Sequence, residues 1–288
     1  MANFEHLSIL KRGTAAWNRW RQENPAIVPN LAGVQFDRAS HRRVNFAGAH
    51  LEGACLAMSN FSEANLREAS LHGADLRGSN FHRADLGGSD LTFADLSKSN
   101  LSGVNLRGAK LRGADLHDSN LAEVPLNRLD LRGVNLRAAV LVRANLSLSD
   151  LDSANLSGAD LSEALLIGTT LTIATLANAH LTKASLKHAR LGRAELTGAR
   201  LYGAVRDGWN IKRVKCRYAY LDQEGVERTP ADRDYIEGEF ARLFGIWGTF
   251  PIVFQKEASF TELIALNHTV LRLDKAHPEW DLKIHSLC

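Results

Sequence analysis

From Leu31 to Leu201 a large apolar side chain returns at every fifth residue without an insertion, Leu or Phe at each centre except His41. This period limits the possible folds more than any other feature of the chain. An α-helix needs a repeat near 3.6 residues and a strand a repeat of 2. Helical winding would scatter Leu66, Leu71, Leu76 and Phe81 around the cylinder, and a straight strand would send them alternately to opposite faces. The chain must therefore turn once per repeat. Two residues before each centre stands a small residue, mostly Ala or Ser, with Val at Val34, Val44, Val104, Val124 and Val134 and one bulky exception, Leu129. The residue just before the centre is usually Asp or Asn between Asn60 and Asp160, and the two after it vary freely.

If each five-residue segment ends in a corner, the centre and the small residue both point inward, and corners of one hand close the chain into a coil. Coils then stack at about the 4.8 Å spacing of paired strands and exchange backbone hydrogen bonds. Ala or Ser beside Leu suits a narrow interior, which two large residues per side would overpack. Asp, Asn, Gly and Ser suit the corners. The period alone leaves three, four or five sides open.

The stretch ANLREASLHGADLRGSNF resembles the A(D/N)LXX signature of the pentapeptide-repeat family, and the match runs for about 175 residues without a gap. The resemblance implies a mainly β fold, a right-handed quadrilateral β-helix solenoid with four repeats per coil. Between eight and nine coils would then stand roughly 40 Å tall. Residues twenty apart would stack in columns, placing Asn60, Asn80, Asn100 and Asn120 on one edge. Such a ladder reads either as a recognition stripe or as corner stabilisation, and the second is the expectation taken here.

A stacked β-coil has open edges that need covering. Residues 1–30 are expected to form an N-terminal helical cap, with one amphipathic helix over Glu5–Glu23 placing Leu7, Leu10, Trp17 and Trp20 near one face before Pro25 stops it. Residues 31–228 are expected to form the β-helix, with a degenerate last coil over 206–228 where the rule fails at Arg206. Trp209, Ile211, Val214, Cys216, Ala219 and Leu221 still fall near the expected interior places. Residues 229–288 read as a small C-terminal α/β module: a linker with a short helical piece, the apolar run FPIVF, an amphipathic stretch with Ser259 as N-cap and Pro278 at its end, and a final strand. It resembles small modules that follow pentapeptide repeats in some bacterial proteins. A two-stranded unit is too small to stand alone, so it is expected to pack on the solenoid, pair with another chain or continue in a longer protein.

Cys55, Cys216 and Cys288 form no close-spaced pair, which points away from a disulfide framework and toward a reducing cytoplasm. The N-terminus lacks the apolar core of a signal peptide, and no stretch approaches membrane-spanning length. The sequence contains no G-x-S-x-G, phosphate-binding glycine loop or H-E-x-x-H motif. His72 and His82 fall on different sides, without the neighbours a zinc site needs. A filled solenoid offers no cleft for converging carboxylates. The expectation is a chain that is not an enzyme and takes no cofactor or metal.

The outer positions carry an apolar run, Val140, Val142, Leu148, Leu165, Ile167 and Ile173, that breaks both the polar exterior and the Asp/Asn rule. It is the candidate interaction surface, for another part of the same chain or for a foreign partner. The function expected is a non-catalytic protein–protein interaction scaffold, a rigid rod presenting its faces and its terminal module to a protein partner or to itself. A role in bacterial signalling or defence is a special case. The alternative implied by the resemblance is a DNA mimic that binds DNA gyrase or another topoisomerase and confers drug resistance. Such mimicry needs an acidic rod, whereas residues 31–205 hold 19 basic against 17 acidic residues. That balance, with few exposed aromatics, argues equally against nucleic acid as a partner.

Overall fold

In the computed structural model, which describes residues 2–245 and the paired segments at 250–251 and 285–286, the chain turns at every fifth residue from Asn30 onward. The second residue after each centre takes the left-handed conformation, with φ of 56° at Glu68, 57° at Phe93 and 61° at Leu148. Parallel bridges join residues twenty apart, from Asn30–His50 to Arg200–Tyr220. Four segments therefore make one coil. We number the sides by their first centres: face 1 begins at Leu31, face 2 at Phe36, face 3 at His41 and face 4 at Phe46.

One repeat shows how the backbone is satisfied. Leu66 N–H donates to Asp85 O at 2.7 Å, Glu68 N–H to Gly87 O at 2.9 Å, Asn65 N–H back to Val44 O at 2.9 Å, and Ala69 N–H to Leu66 O at 3.1 Å across the corner. The fifth donor, Arg67 N–H, meets the Asn65 side-chain oxygen at 3.2 Å. The same side-chain bond recurs from Ser62 to Asn60, Gly87 to Asp85 and Ser162 to Asp160. The Asp/Asn rule is thus a hydrogen-bond rule: the residue before the centre supplies the acceptor that the turn itself lacks. Along the asparagine column each side chain closes its own corner, and Asn100 also donates to Asn80 at 3.2 Å. This is the corner-stabilising arrangement.

Inside, the centres from Leu51 to Leu201 and the alanines beside them are buried, and the bulky Leu129 is accommodated at 6% exposure. His41, Phe61 and Phe81 stack along face 3, with ring centroids 5.2 and 5.1 Å apart.

At the N-terminal end there are two helices, not the single one expected over Glu5–Glu23: α1, Phe4–Lys11, and α2, Thr14–Glu23. Gly13 causes the break, its φ of 97° being incompatible with helix continuation. Both helices lie on the open edge of the first coil. Trp17, fully buried, donates from its indole to Asn45 O at 2.8 Å, and Asn18 bonds Arg43 O and Asn45 N–H at 2.9 and 2.8 Å. His6 Nδ1 accepts from Asn30 N–H at 3.0 Å.

At the other end Trp209, Ile211, Val214, Cys216, Ala219 and Leu221 are buried as expected. Strand β1, Ala219–Tyr220, pairs antiparallel with β2, Arg228–Thr229. Helix α3, Glu239–Phe244, buries Phe240 and Leu243, and Phe244 O accepts from the Trp209 indole at 3.0 Å. Segments β3, Phe250–Pro251, and β4, His285–Ser286, pair in parallel. The amphipathic stretch expected as a helix after Ser259 lies outside the described residues.

Candidate interaction surface

The hydrophobic centres fill the solenoid axis, so chemistry must reside on the outer wall or at the ends. The C-terminal end has an open depression of about 530 Å³ lined by Val226, Arg228, Tyr235 and Glu239. Its carboxylate is occupied: Arg233 grips Glu239 through two bonds of 2.6 and 2.7 Å and, against the cost of burial, lowers its pKa to about 2. Burial pushes the Tyr235 and Cys216 protons the other way, leaving both groups neutral and unreactive. Among the described residues no group of His, Cys, Asp and Glu is arranged to hold a metal ion, and no helix is long and apolar enough to cross a membrane. Arg206 takes an interior centre, its guanidinium 5.7 Å from the Trp209 ring and 5.5 Å from that of Phe244. Packed between rings, it belongs to the end of the core.

The wall holds the six apolar residues foreseen in the sequence, and the twenty-residue register places each one. Val140 lies on face 3 between Asn120 and Asp160, and Val142 at the corner that follows. Leu165 lies on face 4 between Asn145 and Ser185. Leu148 and Ile167 meet at the corner from face 4 to face 1, with Leu148 N–H donating to Ile167 O at 2.9 Å. Ile173 is one side further on, at the corner from face 1 to face 2. The fold therefore brings Leu148, Leu165 and Ile167 into one patch and spreads Val140, Val142 and Ile173 around it. Leu148 is 57% exposed and Ile173 52%, while Val142 is half-buried.

The strip also lacks the side-chain acceptor for its turns, as do corners where Ser, Lys or Thr precedes the centre, such as those after Ser70, Lys110 and Thr170. With Val at 140 and Leu at 165 in place of Asp or Asn, the turn N–H groups of Val142 and Ile167 make no hydrogen bond among the described residues. Ile173 adds strain: it is the one β-branched residue with a left-handed φ, 60°, among the described corners.

Among the exposed apolar residues that the sequence reading did not name, two stand at left-handed corners of the solenoid. Met58 and Phe93 are 61% and 62% exposed at corners. Each lies over a glycine twenty residues later: a Cβ on Gly113 would stand 2.5 Å from the Phe93 ring, and one on Gly78 would stand 3.6 Å from Met58. Leu148 covers Gly168 in the same way. A glycine one coil after a large corner residue was the signal available.

A closed, four-segment coil of five-residue repeats with a filled axis defines a solenoid class without a cleft. The chain belongs to the pentapeptide-repeat family, whose profile matches in eight copies over residues 30–67, 45–83, 59–92, 89–128, 130–168 and 174–205. Among solved structures it is similar to HetL, a pentapeptide repeat protein involved in heterocyst differentiation regulation from the cyanobacterium Nostoc sp. strain PCC 7120. The identity is 31%, covering 71% of this chain and 96% of that one, with a TM-score of 0.40. Trypsin-treated QnrB1, a plasmid-mediated fluoroquinolone resistance protein, is 16% identical over 69% of this chain and 94% of its own, TM-score 0.31. The pentapeptide repeat protein Rfr23 from the cyanobacterium Cyanothece 51142 is 22% identical over 71% and 97%, TM-score 0.21. No curated protein matches the chain.

Proposed function

We propose that this chain is a non-catalytic protein–protein interaction scaffold: a rigid solenoid, capped by its N-terminal helices, that offers an apolar strip on its wall and carries a C-terminal interaction module. The observation that carries the reading is the strip itself. At Val140 and Leu165 the repeat gives up both its polar exterior and the side-chain acceptor for the next turn, and the residues gained are large and exposed. Surface apolar groups that cost the fold hydrogen bonds are accounted for by contact with a partner. A preformed wall binds without the entropy of ordering a loop. The chain acts in a reducing cytoplasm, and a bacterial signalling or defence system is the setting that fits such a scaffold. The gyrase-mimic alternative draws no support from the charges, since arginines are paired with carboxylates on the wall, as in Arg132 with Asp130 and Arg143 between Glu123 and Glu163.

The test immobilises three baits: the full chain, a full chain carrying Leu148→Ser, Leu165→Asn and Ile167→Ser, and a chain ending at Thr229. Proteins retained from native lysate are compared by mass spectrometry. A partner held by the first bait and lost from the second assigns binding to the strip; loss from the third alone assigns it to the module. A partner held equally by all three, a topoisomerase subunit in particular, contradicts the proposal.

A further inference from the structure

Charge is segregated along the rod although the total is nearly balanced. Between Ala144 and Thr182 the charged residues are Asp150, Asp152, Asp160 and Glu163, all acidic; between Lys183 and Arg217, apart from Glu195 and Asp207, all are Lys or Arg. Face 1 carries this division in its most regular form. Reading up its columns, Asp130 lies under Asp150, then Thr170, then Arg190, and the neighbouring column runs Arg132, Asp152, Thr172, Gly192, Lys212. The corner bordering them runs from Ile173 to Arg193 to Arg213. Above the Asp130–Arg132 pair, one acidic, one neutral and two basic rows thus follow one another.

We infer that face 1 is a self-complementary surface on which a second copy of this chain docks, antiparallel, about a two-fold axis through the row of Thr170, Leu171 and Thr172. A two-fold axis normal to a flat face exchanges up with down and left with right. It therefore sets Asp152 of one copy opposite Arg190 of the other, Asp150 opposite the Gly192–Arg193 edge, and Asp130 opposite Lys212. Thr170 meets Thr172 at the axis. The same operation lays Ile173, at one border of the face, against the Ile167–Gly168 corner at the opposite border, and sets Leu148 opposite Arg193. The inner charges match under this single operation, every contact occurring twice, and Arg128 opposite Arg213 at the outer ends is the like-charge meeting it leaves.

The monomer leaves the basic groups and Asp152 available. Arg190, Arg193, Lys212 and Arg213 are exposed and form no ion pair among the described residues. Arg193 and Arg213 stack in one column at about 4.8 Å, a like-charge arrangement that is unfavourable until anions face it. Asp152 is bonded by Ser153 Oγ at 2.9 Å and by no cation, whereas Asp150 is 3.7 Å from Arg132, which also holds Asp130. The strained left-handed Ile173 sits on the border that the operation buries. Five coils of one face present on the order of 300–400 Å² per copy, well below the ~800 Å² per partner of a standard stable interface. The dimer is accordingly weak, reversible and salt-sensitive.

The experiment is sedimentation equilibrium of the full chain, from a few micromolar to on the order of 100 μM, at low and high salt, with Asp152→Arg, Arg190→Asp and their equimolar mixture. The wild type is expected to shift toward the dimer mass at low salt and return to monomer at high salt. Each variant alone sets like charges opposite one another at both contacts and stays monomeric. Mixed, the two variants restore attraction at both contacts and associate. Circular dichroism confirms that each variant is folded. A wild type monomeric throughout overturns the inference, as does a dimer indifferent to both substitutions or a mixture that fails to associate. The foreign-partner reading above stands or falls separately, since purified chain alone is used here.

Discussion

His41 occupies a centre that every other repeat up to Leu201 gives to Leu or Phe. Its ring is 5% exposed, stacks on Phe61, and leaves Nε2 without a hydrogen-bond partner. Burial disfavours the charged imidazolium and lowers the pKa from 6.5 to about 4. Between those values the unfolded chain binds a proton that the folded chain does not, so stability is fully present above pH 6.5 and falls as pH drops toward 4. The loss amounts to about 3 kcal/mol at its largest. His41→Leu should remove that slope and leave the protein more stable at pH 7 as well; urea unfolding of both forms at pH 7 and pH 4.5 measures it. An unchanged pH dependence in the variant would show that another group is responsible. Glu239 does not interfere, because with a folded pKa near 2 its contribution is lost only at lower pH, as the carboxylate becomes protonated. The sequence shows His41 as an exception to the repeat but not its depressed pKa, which depends on rings packed around it from neighbouring coils.

The repeat unit was legible because its grammar is local: the centre, the small residue and the Asp or Asn before the centre each answer a need met within one corner or one coil. The twenty-residue register came instead from the family resemblance, since the period alone left three, four or five sides open, and the columns of the six apolar wall residues depend on it. What could not be read was set by distant contacts or by a single backbone angle. Gly13 divides the N-terminal helix through its φ of 97°, although the apolar spacing runs on across it. The exposed rings and chains of Phe93 and Met58 depend on glycines a full coil away. The helix pair itself is tied to coil one mainly through Trp17. Trp17→Ala should cost about 3–5 kcal/mol, the usual penalty for deleting a buried aromatic. Because each coil contacts only its neighbours, hydrogen exchange should speed up over Leu31–Phe46 while coils near Leu151 keep their protection. Uniform loss of protection along the rod would contradict this nearest-neighbour picture.

The assembled rod has a filled axis, hydrogen-bonded edges at its N-terminal end and a polar wall whose exposed apolar residues are densest in one region. Residues from Val140 to Ile173 combine exposed apolar side chains, missing corner acceptors and a left-handed Ile, while the charges beside them divide into an acidic and a basic zone. The central claim is that this region gives up folding stability for contact. The double variant Val140→Asn, Leu165→Asn tests it most directly, since both substitutions restore the rule that Asn120 and Asp160 obey in one column and Asn145 in the other. Each substitution supplies an acceptor to the turn N–H of Val142 or Ile167, and the first also extends the asparagine column one coil beyond Asn120. Unfolding midpoint and partner capture are to be measured on the same preparation. The account predicts a gain of about 1 kcal/mol in stability together with loss of the partner retained by the wild type. A variant that is less stable, or one that is stabilised and still holds its partner, would contradict it.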